Sequence, residues 1–289
     1  MNRHEVVLRN VRKIEIRTKK LVEGLMSGAY HSVFKGRGIE FSEVREYVFG
    51  DDVRSIDWNV TARMNHPYVK EFIEERDLTV YIVFDISASS TFGMVKSKKD
   101  VAVELAASIM FSAMRNNDNV GIALFTDTIE KLIKPGKGRR HVLRLIRELI
   151  YYEPQAVSTD IEASLSYLAK VVKRRAIIFI ISDFYAKGFD KPLKILREKH
   201  DIIAINTRDI REEQIPEVGL IELEDSETGE QLLVDTSDSA FQERYGQIVR
   251  KEHQELKSRM RKLKIDLIQL NTDIPFEIPL RKFFRKRSR

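Results

Sequence analysis

The chain has no cysteine among its 289 residues, which excludes disulfides and thiolate metal sites. It has no run near the roughly 20 consecutive apolar residues that a membrane-spanning helix needs; the longest apolar runs are short, such as residues 176–181. The start, Met-Asn-Arg-His-Glu with scattered charges behind it, lacks the apolar stretch of a secretory signal. A soluble cytoplasmic protein without a membrane span is therefore expected. None of the six histidines (His4, His31, His66, His141, His200 and His253) has a second at metal-ligand spacing. The glycine-bearing basic segment at residues 136–140 lacks the Gly-x-x-x-x-Gly-Lys-Ser/Thr of a phosphate-binding loop and reads as a turn with a basic patch. A Gly-x-Ser-x-Gly nucleophile elbow is also missing.

An excess of positive charge is present only locally. Lys and Arg total 50 against 44 Asp and Glu. Residues 281–289 hold six basic groups and no acidic one, so the remainder balances at 44 against 44. The excess is thus a property of the tail. A solvated, frayed terminus is the plain expectation, although Phe283 and Phe284 suggest that part of it docks on the protein. A neutral body without an aromatic–basic stripe argues against nucleic-acid binding.

Apolar positions Val7, Val11, Ile14, Leu21 and Leu25 step by fours and threes, interrupted only by Thr18. That is one face of an amphipathic helix, expected to end near residues 24–28. Residues 27–40 read as a loop. Residues 41–70 are dense in charge and aromatics without a sustained period, and predict irregular structure held by ion pairs and by burial of Trp58. The texture changes at residue 78. Residues 78–84, 119–125, 176–181 and 202–206 are apolar, β-branched runs of the kind buried on both faces of a sheet. Residues 129–133 read as a short strand paired to 119–125, and residues 265–270 as the last strand. Helical spacing covers residues 96–114, 139–151, 160–173, 190–198 and 239–263. Residues 219–224 and 231–234 read as strands flanking a hairpin turn. Strands alternating with helices predict an α/β fold, doubly wound, with a mostly parallel sheet and helices on both faces. Three regions follow: a helical and irregular N-terminal segment (residues 1–77), the α/β domain (78–272) and the basic tail (273–289).

In such a sheet, ligands bind outside the carboxyl ends of the strands, where strand order reverses. The first buried strand ends in Asp85-Ile86-Ser87-Ala88-Ser89, a carboxylate and two hydroxyls at alternate positions. Thr159 stands just before a helix, and Asp183 follows the strand at residues 176–181. Three loops would bring Asp85, Ser87, Ser89, Thr159 and Asp183 to one side. All are hard oxygen donors, suited to Mg²⁺, Mn²⁺ or Ca²⁺ and not to zinc. The blander readings are that Asp85, Ser87 and Ser89 cap a turn, that Thr159 caps its helix, and that Asp183 is a turn residue.

This set, Asp85-x-Ser87-x-Ser89 with Thr159 and Asp183, resembles the metal-ion-dependent adhesion site of von Willebrand factor A domains. The resemblance implies that Ser87, Ser89 and Thr159 coordinate the metal directly, that Asp85 and Asp183 do so directly or through water, and that one position stays open for a partner's acidic side chain. Gly36-x-Gly38-x-Glu40-Phe41, Arg45-x-Tyr47, Gly50-Asp51-Asp52-x-Arg54-x-Ile56-Asp57-Trp58 and Thr61-Ala62-Arg63 resemble the signature of a prokaryotic family called domain of unknown function fifty-eight. That resemblance implies a MoxR-type AAA+ ATPase as partner, with a client protein offering an acidic side chain. The expected function is non-catalytic, metal-dependent protein binding. The alternative is an enzyme, a Mg-dependent phosphoryl transferase or hydrolase using Asp85. Against it, no carboxylate stands at position 87, and no lysine or base is evident in register.

Overall fold

The computed structural model describes residues 3–21, 30, 33–34, 40–73, 77–88, 97–156, 158–224 and 229–287. The chain divides into two compact units, Phe34–Leu78 and the remainder, Met1–Val33 with Thr79–Arg289. The expected N-terminal segment is thereby split, because its helix belongs with the sheet.

That helix, α1 (Arg3–Leu21), packs on the sheet unit through Val11 and Thr18, both buried. Thr18 sits in an apolar stripe because its hydroxyl donates to the Ile14 carbonyl at 2.8 Å, so no polar group is buried unpaired. Glu15 accepts from Arg139 at 2.7 Å, and Arg17 donates to Glu104 at 2.7 Å. The expected helix end and most of the loop at residues 27–40 lie outside the described residues.

The smaller unit is more regular than its sequence suggested. β1 (Glu40–Glu46) pairs antiparallel with β2 (Tyr68–Ile73). Between them lie a 3₁₀ turn at Val53–Ser55 and α2 (Trp58–Met64). Asp52 and Asp57 are the N-caps, their carboxylates accepting from Arg54 and from Asn59 and Val60, which satisfies orphan helix amides. The expected burial of Trp58 is overturned: it is 67% exposed. A two-stranded ribbon with one short helix has little interior, and Trp58 starts that helix. The expectation of ion pairs holds. Arg45 grips Asp51 with two bonds of 2.8 Å. These bonds, with the Val48 amide, hold the Asp51 carboxyl down at about 2. The depressed value contributes stability above the ordinary carboxylate range and loses it as pH falls through about 2. Arg45→Ala should therefore return the Asp51 midpoint toward 3.8, as read by a carboxyl NMR titration.

The larger unit is built on a six-stranded sheet. Its strands are β3 (Thr79–Asp85), β4 (Asn119–Phe125), β5 (Ile129–Gly136), β6 (Ile177–Ser182), β7 (Asp201–Arg208) and, after the hairpin β8 (Leu220–Glu224) and β9 (Gln231–Asp235), β10 (Asp266–Asn271). Spatial order is β10-β7-β6-β3-β4-β5, parallel except for β5 against β4. Each central strand is buried along nearly its whole length, which explains runs such as IIFIIS that do not alternate with polar residues. One face carries α3 (Lys98–Arg115), α4 (Arg139–Tyr151) and α1. The other packs Tyr81, Val83, Ile178 and Ile180 against α5 (Ile161–Val171), α6 (Asp190–Lys199) and α8 (Ser239–Lys262). A single turn, α7 (Ile210–Glu213), follows β7.

The frayed terminus expected first is corrected, and the docking suggested by Phe283 and Phe284 is borne out. Residues Glu277–Arg287 form a helix, α9, whose Leu280, Phe283 and Phe284 are buried. Phe284 meets the Tyr30 ring edge-on at 6.3 Å. Arg287 donates to Asp201 at 2.6 and 2.7 Å and to Asp266 at 2.7 Å. The basic residues occupy one face of an amphipathic helix and not a frayed end. Among the described residues no helix is long and apolar enough to cross a membrane.

Candidate binding site at the carboxyl edge of the sheet

Strand order places one crevice. From β3 the chain crosses to β4 on one side; from β6 it crosses to β7 on the other. The carboxyl ends of β3 and β6 therefore flank the switch point where α/β sheets bind ligands. Asp85 is the last residue of β3, and Ser182 the last of β6. Phe84 pairs with Ile181 across the strands.

Asp85 is buried, 4% exposed. Its Oδ1 accepts from the Ser87 hydroxyl at 2.6 Å and the Ser87 amide at 3.0 Å. Its Oδ2 accepts from the Ser182 hydroxyl at 2.7 Å. Burial and then the charge of Asp183 push the Asp85 carboxyl up to about 6, against the pull of those three bonds. Asp183 adjoins the same narrow cavity, of about 10 Å³, lined also by Asp85, Lys98, Ser182 and Thr207. Asn206 on β7 donates to the Asp183 carbonyl at 2.6 Å and fixes the loop leaving β6.

The expectation of no lysine in register is overturned by Lys98. Its side chain is 1% exposed, and its ammonium lies 3.3 Å from Asp183 Oδ2 and 2.6 Å from Glu212 Oε1. Lys98 opens α3, after the Ser97 N-cap and its capping box with Asp100. A cation in the first helical turn opposes the helix dipole, so its burial there answers to the two carboxylates. The signal in the sequence was Lys98 and Lys99 at the start of a helix, where acidic residues are favoured.

Thr159 is half-buried and precedes α5. The N-cap is Asp160, whose carboxylate accepts from Ala163; Thr159 is released from the capping role its position suggested. The Asp160 amide donates to the Thr126 carbonyl at 3.1 Å. Thr126 directly follows Phe125, the neighbour of Asp85 in the sheet. Thr159 thus stands on the same sheet edge but does not line the cavity shared by Asp85 and Asp183. Glu130, not singled out from the sequence, organises this side: it accepts from Thr126 Oγ1 at 2.5 Å and from the amides of Gln155 and Ala156. Partial burial pushes its carboxyl up, but these bonds hold it below the usual value. Ser89 lies outside the described residues.

Among the described residues no three Asp, Glu or His side chains are grouped to hold a metal by themselves. A cation here would depend on hydroxyl oxygens for part of its shell. The donor chemistry fits. Asp85 and Asp183 are two carboxylates whose charges oppose one another. Ser87 and Ser182 spend protons, not lone pairs, on Asp85, and the Ser182 oxygen also accepts from the Phe184 amide at 3.1 Å.

Several known proteins are similar to this chain. The chain is 33% identical over 223 residues to the uncharacterized protein Rv1480 of Mycobacterium tuberculosis, covering 76% of this chain and 70% of that one. It is 30% identical over 109 residues to YeaD of Bacillus subtilis, covering 37% of this chain and 25% of that protein. Among solved structures it is similar to an aerotolerance-related membrane protein of Bacteroides fragilis, at 15% identity and a TM-score of 0.47, over 73% of this chain and 98% of the other. Residues 43–255 match the model described as Protein of unknown function DUF58, and the chain belongs to that family.

Proposed function

We propose that the larger unit is a von Willebrand factor A-like domain that binds proteins and does not catalyse a reaction, working as an adaptor for a MoxR-type AAA+ ATPase that acts on client proteins. The observation that carries this reading is the meeting of Asp85 and Asp183 at the switch point, with Ser87 and Ser182 bonded to Asp85. Asp85, Ser87, Ser89, Thr159 and Asp183 would hold a divalent cation, Mg²⁺ or else Mn²⁺ or Ca²⁺, which when bound offers an open position to a partner's carboxylate. Asp85 and Asp183 would supply the anionic charge, and the hydroxyl oxygens would supply part of the shell. Lys98 neutralises part of that charge, which favours recruiting an anion from outside.

The proton on Asp85 competes with a cation. With its carboxyl at about 6, Mn²⁺ bound at pH 7.5 should be bound at least tenfold more weakly at pH 5, by electron paramagnetic resonance titration. Equal affinity at both values would remove Asp85 from the site.

One observation favours a second reading, a Mg-dependent phosphoryl transferase or hydrolase. Lys98 lines the same cavity as Asp85, and a lysine beside a strand-end aspartate could steady a phosphoryl group. Its ammonium is committed to Asp183 and Glu212, so binding remains the first reading. The assay that separates the two is hydrolysis of p-nitrophenyl phosphate with Mg²⁺: no turnover supports binding, and turnover abolished by Asp85→Asn supports the enzyme.

A further inference from the structure

The two edges of the six-stranded sheet are treated differently. An exposed edge strand presents unpaired backbone groups, which proteins usually blunt with charges or proline. The β5 edge is blunted in this way, by Glu130, Lys131, Lys134 and Pro135 within the strand. The opposite edge, β10, reads Asp-Leu-Ile-Gln-Leu-Asn. Its one charge, Asp266, is bound to Arg287 at 2.7 Å. Among the described residues β10 pairs only with β7.

Beside this edge lies a groove in two adjoining parts of about 680 and 640 Å³. Lys257, Asp266, Leu267, Gln269, Lys282 and Lys286 line both parts. One wall is the end of α8 and the turn after it; the other is α9. Arg261 and Lys264 add two more cations to the first wall, and all five lysines and arginines named are exposed. Ile274 and Ile278, 40% and 59% exposed, give the second part an apolar end. Lysines that only guard an edge would stand on the strand. These stand on the flanking elements, with the strand left between them.

We infer that the open edge of β10, between α8 and α9, binds an extended acidic segment of a partner protein by strand addition. The backbone of β10 would supply the ladder, which gives affinity without regard to sequence. Lys257, Arg261 and Lys264 on one side, with Lys282 and Lys286 on the other, would select carboxylates, while Leu267, Ile274 and Ile278 would receive apolar side chains. Acidic residues in adjacent pairs, separated by apolar pairs, fit this arrangement, because successive side chains of a strand point to opposite faces and so bring carboxylates to both walls. Nucleic acid fits it less well, since phosphates have no use for a strand edge.

The test uses the full chain, labelled with ¹⁵N, and an acetylated ten-residue probe that repeats Glu-Glu-Val-Val. The probe should shift amide signals of β10 and of the flanking helix ends. Two N-methylated forms of it, each blocking one peptide edge, keep charge and side chains; one of them should bind at least tenfold more weakly. Lys257→Glu with Lys282→Glu should weaken the parent probe at least tenfold with an unchanged unfolding midpoint. Lys264→Glu with Lys286→Glu serves the same purpose if that pair does not fold. Absence of β10 shifts at millimolar probe would overturn the inference. So would equal binding of both methylated forms, or tighter binding of ten-residue oligothymidylate in the same groove.

Discussion

Lys98→Met lowers the stability of the metal-free protein by about 3–5 kcal/mol, the usual cost of removing one partner from a buried ion pair. Methionine keeps most of the volume, so the loss reads charge and not a cavity. The ammonium is the cation within reach of both Asp183 and Glu212. Without it, Asp183 stays 8% exposed beside a second carboxylate, Asp85, whose charge is already disfavoured. Two further results follow. Glu212→Gln in the Lys98→Met background should cost little more, because the two act on one network. The loss should also shrink as pH falls from 7 to 5, where Asp85 takes up a proton. For Asp85 the sign is that of a raised carboxyl: its favourable contribution is full below the ordinary value near 3.8 and fades as pH rises through about 6. Urea unfolding at both pH values measures all three. A loss below 1 kcal/mol at pH 7 would mean that Lys98 is not held between the carboxylates.

Phe284→Ala costs about 3–5 kcal/mol, the range for truncating a buried phenylalanine. The ring is 1% exposed and meets Tyr30 at 6.3 Å and Phe283 at 5.2 Å. Tyr30 in turn donates to Asp118 at 3.1 Å; burial, and then the Asp118 carboxylate, push the Tyr30 hydroxyl well above its ordinary value. Removing the Phe284 ring opens a cavity beside a buried polar pair. By contrast Lys282→Ala, an exposed change on the same helix, should stay within about 0.5 kcal/mol. Equal, small effects of the two substitutions would return α9 to the status of a loose tail.

The sheet was legible because its central strands are buried on both faces. Runs such as LTVYIVF and IIFIIS have no polar position to dilute them, and five of the six strands were placed within two residues. β5 was read three residues short, since Lys134, Pro135 and Gly136 at its edge carry no strand signal. Segments with few buried residues misled. Trp58 was expected inside because tryptophan usually is, but its unit has little interior to offer. Charge count made the tail look solvated although Phe283 and Phe284 pointed to docking; both are buried, with Leu280 at helical spacing from them. Asp85, Ser87 and Asp183, which the structure brings together, were singled out from one sequence pattern, as were Thr159, which does not line their cavity, and Ser89, which lies outside the described residues. Ser182, Lys98 and Glu212 were not, because their roles arise from neighbours 97, 85 and 114 residues away.

The most direct test of the proposed function is calorimetric titration with Mg²⁺ and Mn²⁺ of the protein and of its Ser87→Ala, Ser89→Ala double variant. One site per chain is expected in the protein and none in a variant that still folds. Undiminished binding in that variant, or no binding by the unaltered protein even beside a candidate ATPase, would contradict the proposed function and leave Asp85 and Ser87 as a structural turn.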